Sequence, residues 1–445
     1  MAYTFKNCPP GWEIKKMPQV VKWGSGGTPK ATVKEYYEGG TIPWLIIGDL
    51  NDGIVTSSAS KITDLGLQNS SAKMIPEGTL LVAMYGSIGK LGITGMECCT
   101  NQAIAYAKEL YGVTTKYMFY FMAMIKSELI SMGKGGTQKN ISQTVLNSLD
   151  VIVPPLDEQE RIVTTIEELL SQLDEGVETL KKTQAQLEVY RQAVLKSAFD
   201  GTLTLTWRES HPNTNSDEMY DEICRAKQAC GNNRTFDLVE EIDLPTLPES
   251  WRWIFVGDLS KGPEYGTSEK SLKSGKVPVV RMGNLQRGVI DWDDLVYTNN
   301  DDDIEKLRLK KGDILFNRTN SPELVGKTSI FRGECEAIFA GYLIRINQFD
   351  LINPEYLTYY MNSFIPKNYG NKVKTDGVNQ SNINGQKLCS YPFPLCARAE
   401  QDAVVVELEE RLSCCDSILN TVRQGLQQAE AMRQSILKQA FEGRL

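Results

Sequence analysis

Hydrophobic and polar positions along this chain follow two rhythms, and each rhythm occurs twice. In residues 1–155 and 248–396 the apolar residues come in short runs bounded by Gly, Pro, Asn or Asp, at 44–47, 79–83, 151–153, 277–281, 313–316 and 340–346. Such runs predict short strands. Residues 117–131 and 354–364 read as helix. Each region is therefore expected to be a mixed α+β domain. In residues 156–207 and 397–445 the rhythm changes. Apolar residues fall at Ile162, Ile166, Leu169, Leu173, Val177, Leu180, Leu187, Val194 and Ala198, and again at Val404, Leu408, Leu412, Cys415, Leu419, Val422, Leu426, Ala429, Ile436 and Ala440. Steps of three and four dominate, which puts one narrow stripe on a helix. Each stretch lasts about 40 residues without proline, a rod of roughly 60 Å. A rod of that length needs a partner along its seam, and the other copy is the obvious one. Gly176 and Gly425 interrupt the pattern at about 1 kcal/mol each relative to Ala, and are read as points of close helix contact. Residues 208–247 are polar and turn-rich around one short acidic helix near 218–229, and read as a connector.

The recurrence is written in the residues themselves. Arg191-Gln-Ala-Val-Leu-Lys-Ser-Ala-Phe-Asp-Gly-Thr-Leu203 returns as Arg433-Gln-Ser-Ile-Leu-Lys-Gln-Ala-Phe-Glu-Gly-Arg-Leu445. At the same shift Glu167, Glu168 and Asp174 return as Glu409, Glu410 and Asp416. Upstream, Pro43-Trp-Leu-Ile-Ile-Gly-Asp-Leu50 becomes Pro278-Val-Val-Arg-Met-Gly-Asn-Leu285, and Gly89-Lys90 becomes Gly326-Lys327. One such match could be chance; an ordered series across nearly the whole chain could not. The expected fold class is α+β, with two pseudo-repeated mixed domains separated by a long antiparallel two-helix coiled coil.

Charge sharpens this picture. The chain carries 48 Lys and Arg against 56 Asp and Glu, which looks wrong for a nucleic-acid binder. By region, however, residues 1–155 carry 14 basic against 11 acidic side chains and 251–395 carry 19 against 17, while the segments between and after them are acidic. Two polyanion-facing blocks on acidic supports is one reading; ordinary surface variation is the other. A single histidine, His211, excludes multi-His metal sites and most His-based acid–base chemistry. Ten cysteines include no C-x-x-C spacing, and no window reaches about 18 apolar residues. With no basic-then-apolar leader, the chain is expected to be cytoplasmic, its thiols reduced and mostly buried.

Catalytic strings are weak. Ser321-Pro-Glu-Leu-Val-Gly-Lys-Thr328 ends like a phosphate-binding loop but begins with Ser instead of Gly. Its twin, Gly86-Ser-Ile-Gly-Lys90, has the wrong spacing, so the pair points to a shared turn. Asn353-Pro-Glu-Tyr356 lacks the second proline of an amino-methyltransferase string and reads as a helix start.

The order of variable domain, long helix, variable domain, long helix resembles the specificity subunit of type I restriction–modification enzymes. The strings that carry the resemblance are Gly26-Gly-Thr-Pro-Lys30, Ile42-Pro-Trp-Leu-Ile-Ile-Gly-Asp-Leu50, Tyr85-Gly-Ser-Ile-Gly-Lys90, Asn101-Gln-Ala103, Gly136-Thr-Gln-Lys-Asn-Ile141 and Val153-Pro-Pro-Leu-Asp-Glu-Gln-Glu160. The second copy departs from it: the GGTP string is missing, and its helix begins through Pro394-Leu-Cys-Ala-Arg-Ala-Glu-Gln401. The resemblance implies a non-catalytic chain whose two target-recognition domains each read half of a split double-stranded DNA site. It implies two modification subunits docked on the helices, bringing S-adenosylmethionine, and two restriction subunits bringing ATP and Mg; no cofactor and no membrane are expected for this chain. A type II-like recognition subunit and a protein-only coiled-coil adaptor remain alternatives.

Phosphates call for Lys, Arg and backbone amides, and base edges for Arg, Asn and Gln. In the first domain that inventory names Thr28, Lys30, Tyr85, Ser87, Lys90, Lys134, Thr137, Gln138, Lys139 and Asn140. In the second it names Arg281, Asn317, Arg318, Asn320, Lys327, Lys372, Lys374, Thr375, Asn379, Gln380 and Asn382. The first domain contains no arginine. On the helices Glu158, Glu160, Glu167, Glu168, Glu178, Glu407, Glu409 and Glu410 are candidates for a partner-facing surface.

Overall fold

The structure is a computed structural model and describes residues 8–135 and 139–445. The chain divides into two compact units: Met1–Lys182 with Val422–Leu445, and Thr183–Thr421. Each therefore holds one domain and parts of both long helices.

Short, largely apolar runs form the main sheet of the first unit. Its strands lie in the order Val21–Ser25, Ile104–Leu110, Leu80–Ala83, Leu91–Thr94, Gly53–Val55, antiparallel but for the last pair. A second sheet orders Ser60–Ile62, Ile42–Leu45 and Cys99–Thr100. Glu13–Lys16 pairs antiparallel with Asp150–Val153, just before the first long helix. The second unit repeats this plan. Its main sheet runs Glu264–Tyr265, Leu343–Arg345, Ile314–Asn317, Thr328–Ile330, and its second sheet Val296–Thr298, Val277–Val280, Ile338–Phe339. Arg252–Phe255 pairs with Pro392–Leu395 before the second long helix. The predicted strands are thus found with ends shifted by a residue or so, except for two: the run at 44–47 lies in Ile42–Leu45, two residues earlier, with Ile47 opening a 3-10 turn, and the run at 340–346 splits its apolar residues between a turn and the strand Leu343–Arg345.

The predicted helix at 117–131 is broken at Ile125 into Thr115–Met124 and Lys126–Met132. The one at 354–364 ends at Met361, and Phe364–Val373 follows it as a separate helix. The acidic connector helix spans Asp217–Ala229.

The long helices are Leu156–Phe199 and Arg398–Phe441, 44 residues each. Both stop short of the limits set by sequence, because the Gly that follows Phe-Asp or Phe-Glu turns the chain. In the first unit Asp174 meets Arg433 and the Cβ position of Gly425 faces Leu180; in the second Arg191 pairs with Asp416 at 2.8 Å. As one helix's numbers rise the other's fall, so the pair is antiparallel.

The repeated closing string has a packing reason. Phe441 seats in the first domain's core, 5.1 Å from Tyr117 and 5.7 Å from Phe121 between ring centroids. Phe199 seats likewise in the second, 5.3 Å from Tyr356 and 5.1 Å from Tyr360. Ile162 and Ile166 join the first core, and Val404, Leu408 and Leu412 the second. Burying such a side chain contributes about 1.5–3 kcal/mol. Each core is thus closed by the start of one helix and the end of the other. Gln159 and Gln401, equivalent and fully buried, fasten the helix starts: Gln159 Oε1 accepts from the Thr114 N–H and Gln401 Oε1 from the Asn353 N–H, both at 2.9 Å. All ten cysteines are free thiols, and only five are buried.

Candidate nucleic-acid interface

The predicted site residues of the first domain that the structure describes lie on two loops and on the bridged pair Lys134 and Asn140 with its neighbour Lys139. Gly26 and Gly27 leave the first strand of the main sheet, and the Gly27 N–H donates to the Thr100 carbonyl at 2.8 Å. A Cβ at Gly26 would overlap the carbonyl oxygens of Thr100 and Asn101, which is why glycine stands there. The same contact brings Thr28 within hydrogen-bonding reach of Gln102. Met84, at the end of Leu80–Ala83, is fastened on both sides. Its N–H donates to the Ala103 carbonyl at 2.8 Å, and its carbonyl accepts from the Ile141 N–H at 2.9 Å. The turn Tyr85–Lys90 is closed by the Gly89 N–H donating to the Ala83 carbonyl, with Gly89 at φ +73°. Asn140 forms antiparallel bridges with both Lys134 and Tyr85. Thr137 and Gln138 lie outside the described residues. Thr28, Lys30, Tyr85, Ser87, Lys134, Lys139 and Asn140 are exposed.

The backbone fastenings have twins in the second domain. The Gly266 N–H faces the Leu343 carbonyl as Gly26 faces that of Ile104, and the Thr267 N–H donates to the Phe339 carbonyl at 2.9 Å. A Cβ at Gly266 would likewise strike backbone oxygens, those of Phe339 and Ala340. Tyr265-Gly266-Thr267 therefore replaces the missing GGTP string. Sequence comparison overlooked it; the shared Gly at a shift of 240, between the 235 of Pro43–Pro278 and the 242 of Arg191–Arg433, was the available signal. The second glycine turn is built like the first: the Gly326 N–H donates to the Asn317 carbonyl at 2.8 Å, with Gly326 at φ +89°. The partial phosphate-loop strings are thus one shared turn. Strands Thr319–Asn320, Ser381–Asn382 and Thr375–Asp376 form a small sheet whose pairings, Thr319 with Asn382 and Thr375 with Asn382, repeat those of Tyr85, Asn140 and Lys134.

At the tip of this hairpin Val378, Asn379 and Gln380 are exposed, Val378 completely. Val378 and the exposed Tyr265 and Tyr342 were missed because apolar and aromatic residues are by default assigned to the core. Thr375 is exposed, and Arg318, Asn320 and Asn382 are partly so.

Several proposed contacts change role. Asn317 is fully buried, with its amide turned toward the Leu324 carbonyl, so it supports the turn and cannot touch a base. Four lysines already serve neighbouring oxygens. Lys90 Nζ donates to the carbonyls of Ile47 and Gly48, and Lys372 Nζ to that of Glu241 at 2.7 Å. Lys374 Nζ donates to the Pro322 carbonyl and Lys327 Nζ, at 3.4 Å, to Gln286. Arg281 is held by the carboxylate and carbonyl of Asp294. On the helices, Glu167 is spent on Lys116 and Tyr120, and burial together with that carboxylate pushes the Tyr120 phenol up to about 12. Its twin Glu409 lies near Tyr359, whose phenol burial likewise pushes up to about 12. Glu160, Glu168, Glu178, Glu409 and Glu410 are exposed.

The same arrangement of glycine turn, strand-end loop and bridged segment is thus built twice, once in each domain. Comparison with known proteins places it. The family model described as the type I restriction modification DNA specificity domain matches residues 9–189 and again residues 248–428. The chain belongs to this family, as a type I restriction–modification specificity subunit. It is 23% identical over 450 residues to the type I restriction enzyme EcoKI specificity subunit of Escherichia coli K12, covering 98% of this chain and 90% of that one. It is 26% identical over 289 residues to the MjaIX specificity subunit of Methanocaldococcus jannaschii, covering 63% and 60%. A solved chain titled "Structural basis underlying complex assembly and conformational transition of the type I R-M system" shares the fold. Its TM-score is 0.73 at 16% identity, over 99% of this chain and all of that one. Among the described residues no helix is long and apolar enough to cross a membrane.

Proposed function

We propose that this chain reads a two-part double-stranded DNA sequence, one half per domain, and holds the enzymes that act on that DNA without reacting itself. The observation that carries the reading is the arrangement of bridged segment and glycine turn, built by the same backbone fastenings in both domains of a chain whose specificity-family match is itself duplicated. The exposed side chains have the chemistry this requires. Lys30, Lys134 and Lys139 suit phosphate, Asn140, Asn379 and Gln380 suit adenine edges, and Val378 suits a thymine methyl. In this reading two modification subunits dock on the long helices and supply S-adenosylmethionine. Two restriction subunits supply ATP and Mg. The exposed glutamates face these partners, and the assembly works in the cytoplasm.

The test is to express the chain with its modification subunit in a host free of other adenine methylation and to sequence the methylated bases. The expected motif has two specified parts and an unspecified gap. Replacing residues 1–155 by the corresponding domain of a relative should alter one part only. A motif without a gap, or a change in both parts, would overturn the reading. Gel-shift affinity should also fall steeply with salt; a chain that binds only protein would show no such DNA binding.

A further inference from the structure

Loops that approach DNA do not by themselves say which side chain tells one base from another. We propose that Arg318 is the specificity-determining residue of the second domain, donating from its guanidinium to the O6 and N7 acceptors of a guanine while Tyr265 holds it from beneath. The inference rests on the DNA-recognition reading above and adds to it a residue and a base.

Three observations converge on Arg318. The first is position. Its N–H donates to the Tyr342 carbonyl at 3.0 Å and its carbonyl accepts from the Ile383 N–H at 2.8 Å, so its backbone is pinned where the strand-end loop, the glycine turn and the hairpin meet. The next residue, Thr319, pairs with Asn382, whose Nδ2 donates to Thr319 Oγ1 at 2.7 Å. Exposed Tyr342 and the exposed hairpin flank it.

The second is charge. Residues 251–395 contain seven arginines. Arg252, Arg281, Arg287, Arg308, Arg332 and Arg345 are each paired with a carboxylate. Arg318 has no carboxylate partner among the described residues. Its guanidinium lies instead over the Tyr265 ring, 4.8 Å from the centroid, and its buried Nε finds no acceptor within the protein. A planar cation laid on an aromatic face keeps its outer edge for a planar, two-acceptor target. In DNA that target is the major-groove edge of guanine. The ring is fixed in turn, since the Tyr265 hydroxyl accepts from the Gly385 N–H at 2.9 Å. Tyr265 is therefore a positioning residue.

The third is the comparison of the two copies. The fastenings that pin Arg318 are those that pin Met84, and the strand position of Tyr265 is that of Ser25. Met84 is buried. The scaffold repeats while this pair of side chains does not, as expected where two readers built alike must read different bases. The first domain, having no arginine, cannot offer the same contact.

The experiment is a methylated-base map from the full chain with its modification subunit, for wild type, Arg318→Lys, Arg318→Gln and Tyr265→Ala. Arg318→Lys keeps the charge and loses the fork. It should make one G·C position in one part of the motif degenerate, relaxing discrimination there by roughly ten- to a hundred-fold, with the other part unchanged. Arg318→Gln should weaken the same position, and Tyr265→Ala should relax it partially. Tyr265→Phe, added to the set, keeps the ring but loses the hydroxyl that holds it, and should relax the position less than Tyr265→Ala does. A phosphate contact would behave differently: Arg318→Gln would weaken binding to all sequences and lower the salt slope by about one, with the motif unchanged. That outcome overturns the proposal, as does degeneracy at an A·T pair. A wild-type chain that specifies no two-part motif would instead sink the DNA-recognition reading itself.

Discussion

Residue-level equivalence between the copies does not mean equal weight, and Glu158 and Glu400 show why. They occupy the same place at the start of the two long helices. Glu158 is partly exposed and pairs with Arg161 three residues on at 2.7 Å; that guanidinium holds its carboxyl below the usual range. Glu400 is only 1% exposed and collects Arg208 at 2.6 Å, Thr204 at 2.8 Å and the Trp251 indole N–H at 2.8 Å. Removing one member of a buried ion pair leaves the other charge uncompensated, at about 3–5 kcal/mol. An exposed pair contributes only about 0.2–1 kcal/mol. Glu400→Ala should therefore lower the unfolding free energy by several kcal/mol and Glu158→Ala by less than about 1, as read from urea denaturation. Comparable losses would show that the buried cluster is not a clasp. Little of this was legible beforehand. Charge type and spacing singled out Glu158 for a partner surface and passed over Glu400, because neither reveals burial. Asn317 failed for the same reason: a polar residue beside a glycine turn looks like a reader until its side chain is found inside.

At the scale of elements, what was legible followed from periodicity. The two leucine stripes gave both long helices within a few residues, since a 3.6-residue rhythm sustained over so many turns has no other solution. Short strands were found, but the strands of the hairpin at 375–382 were not, because two-residue strands carry no rhythm. The helix glycines show the limit of pattern alone. Gly176 and Gly425 both read as close-contact points, yet only Gly425 is one. A Cβ there would sit 3.1 Å from Leu180 Cδ1, whereas Gly176 is exposed with nothing near its Cβ position. Gly176→Ala should thus stabilise the protein by about 1 kcal/mol through helix propensity. Gly425→Ala should return none of that gain, because the new methyl group must displace Leu180. Equal melting shifts for the two variants would show that the helices do not press together at Gly425.

For the whole molecule, the decisive feature is that both long helices are continuous where the chain divides into units, the first between Lys182 and Thr183 and the second between Thr421 and Val422. If each domain reads half a site, the helices are the element that can set the gap between the halves. They can set it only together, because the pairs Asp174–Arg433 and Arg191–Asp416 fix one helix against the other on either side of that division. Four residues inserted after Lys182 and four after Thr421 keep every pair in register and add about 6 Å of helix. At about 3.4 Å per base pair the unspecified gap in the methylated motif should grow by one or two base pairs. The same insertion in one helix alone pulls one set of pairs out of register, so it should reduce stability and leave the gap without a defined new length. A doubly inserted chain that folds and keeps its original gap would show that the helices hold the readers without measuring the distance between them.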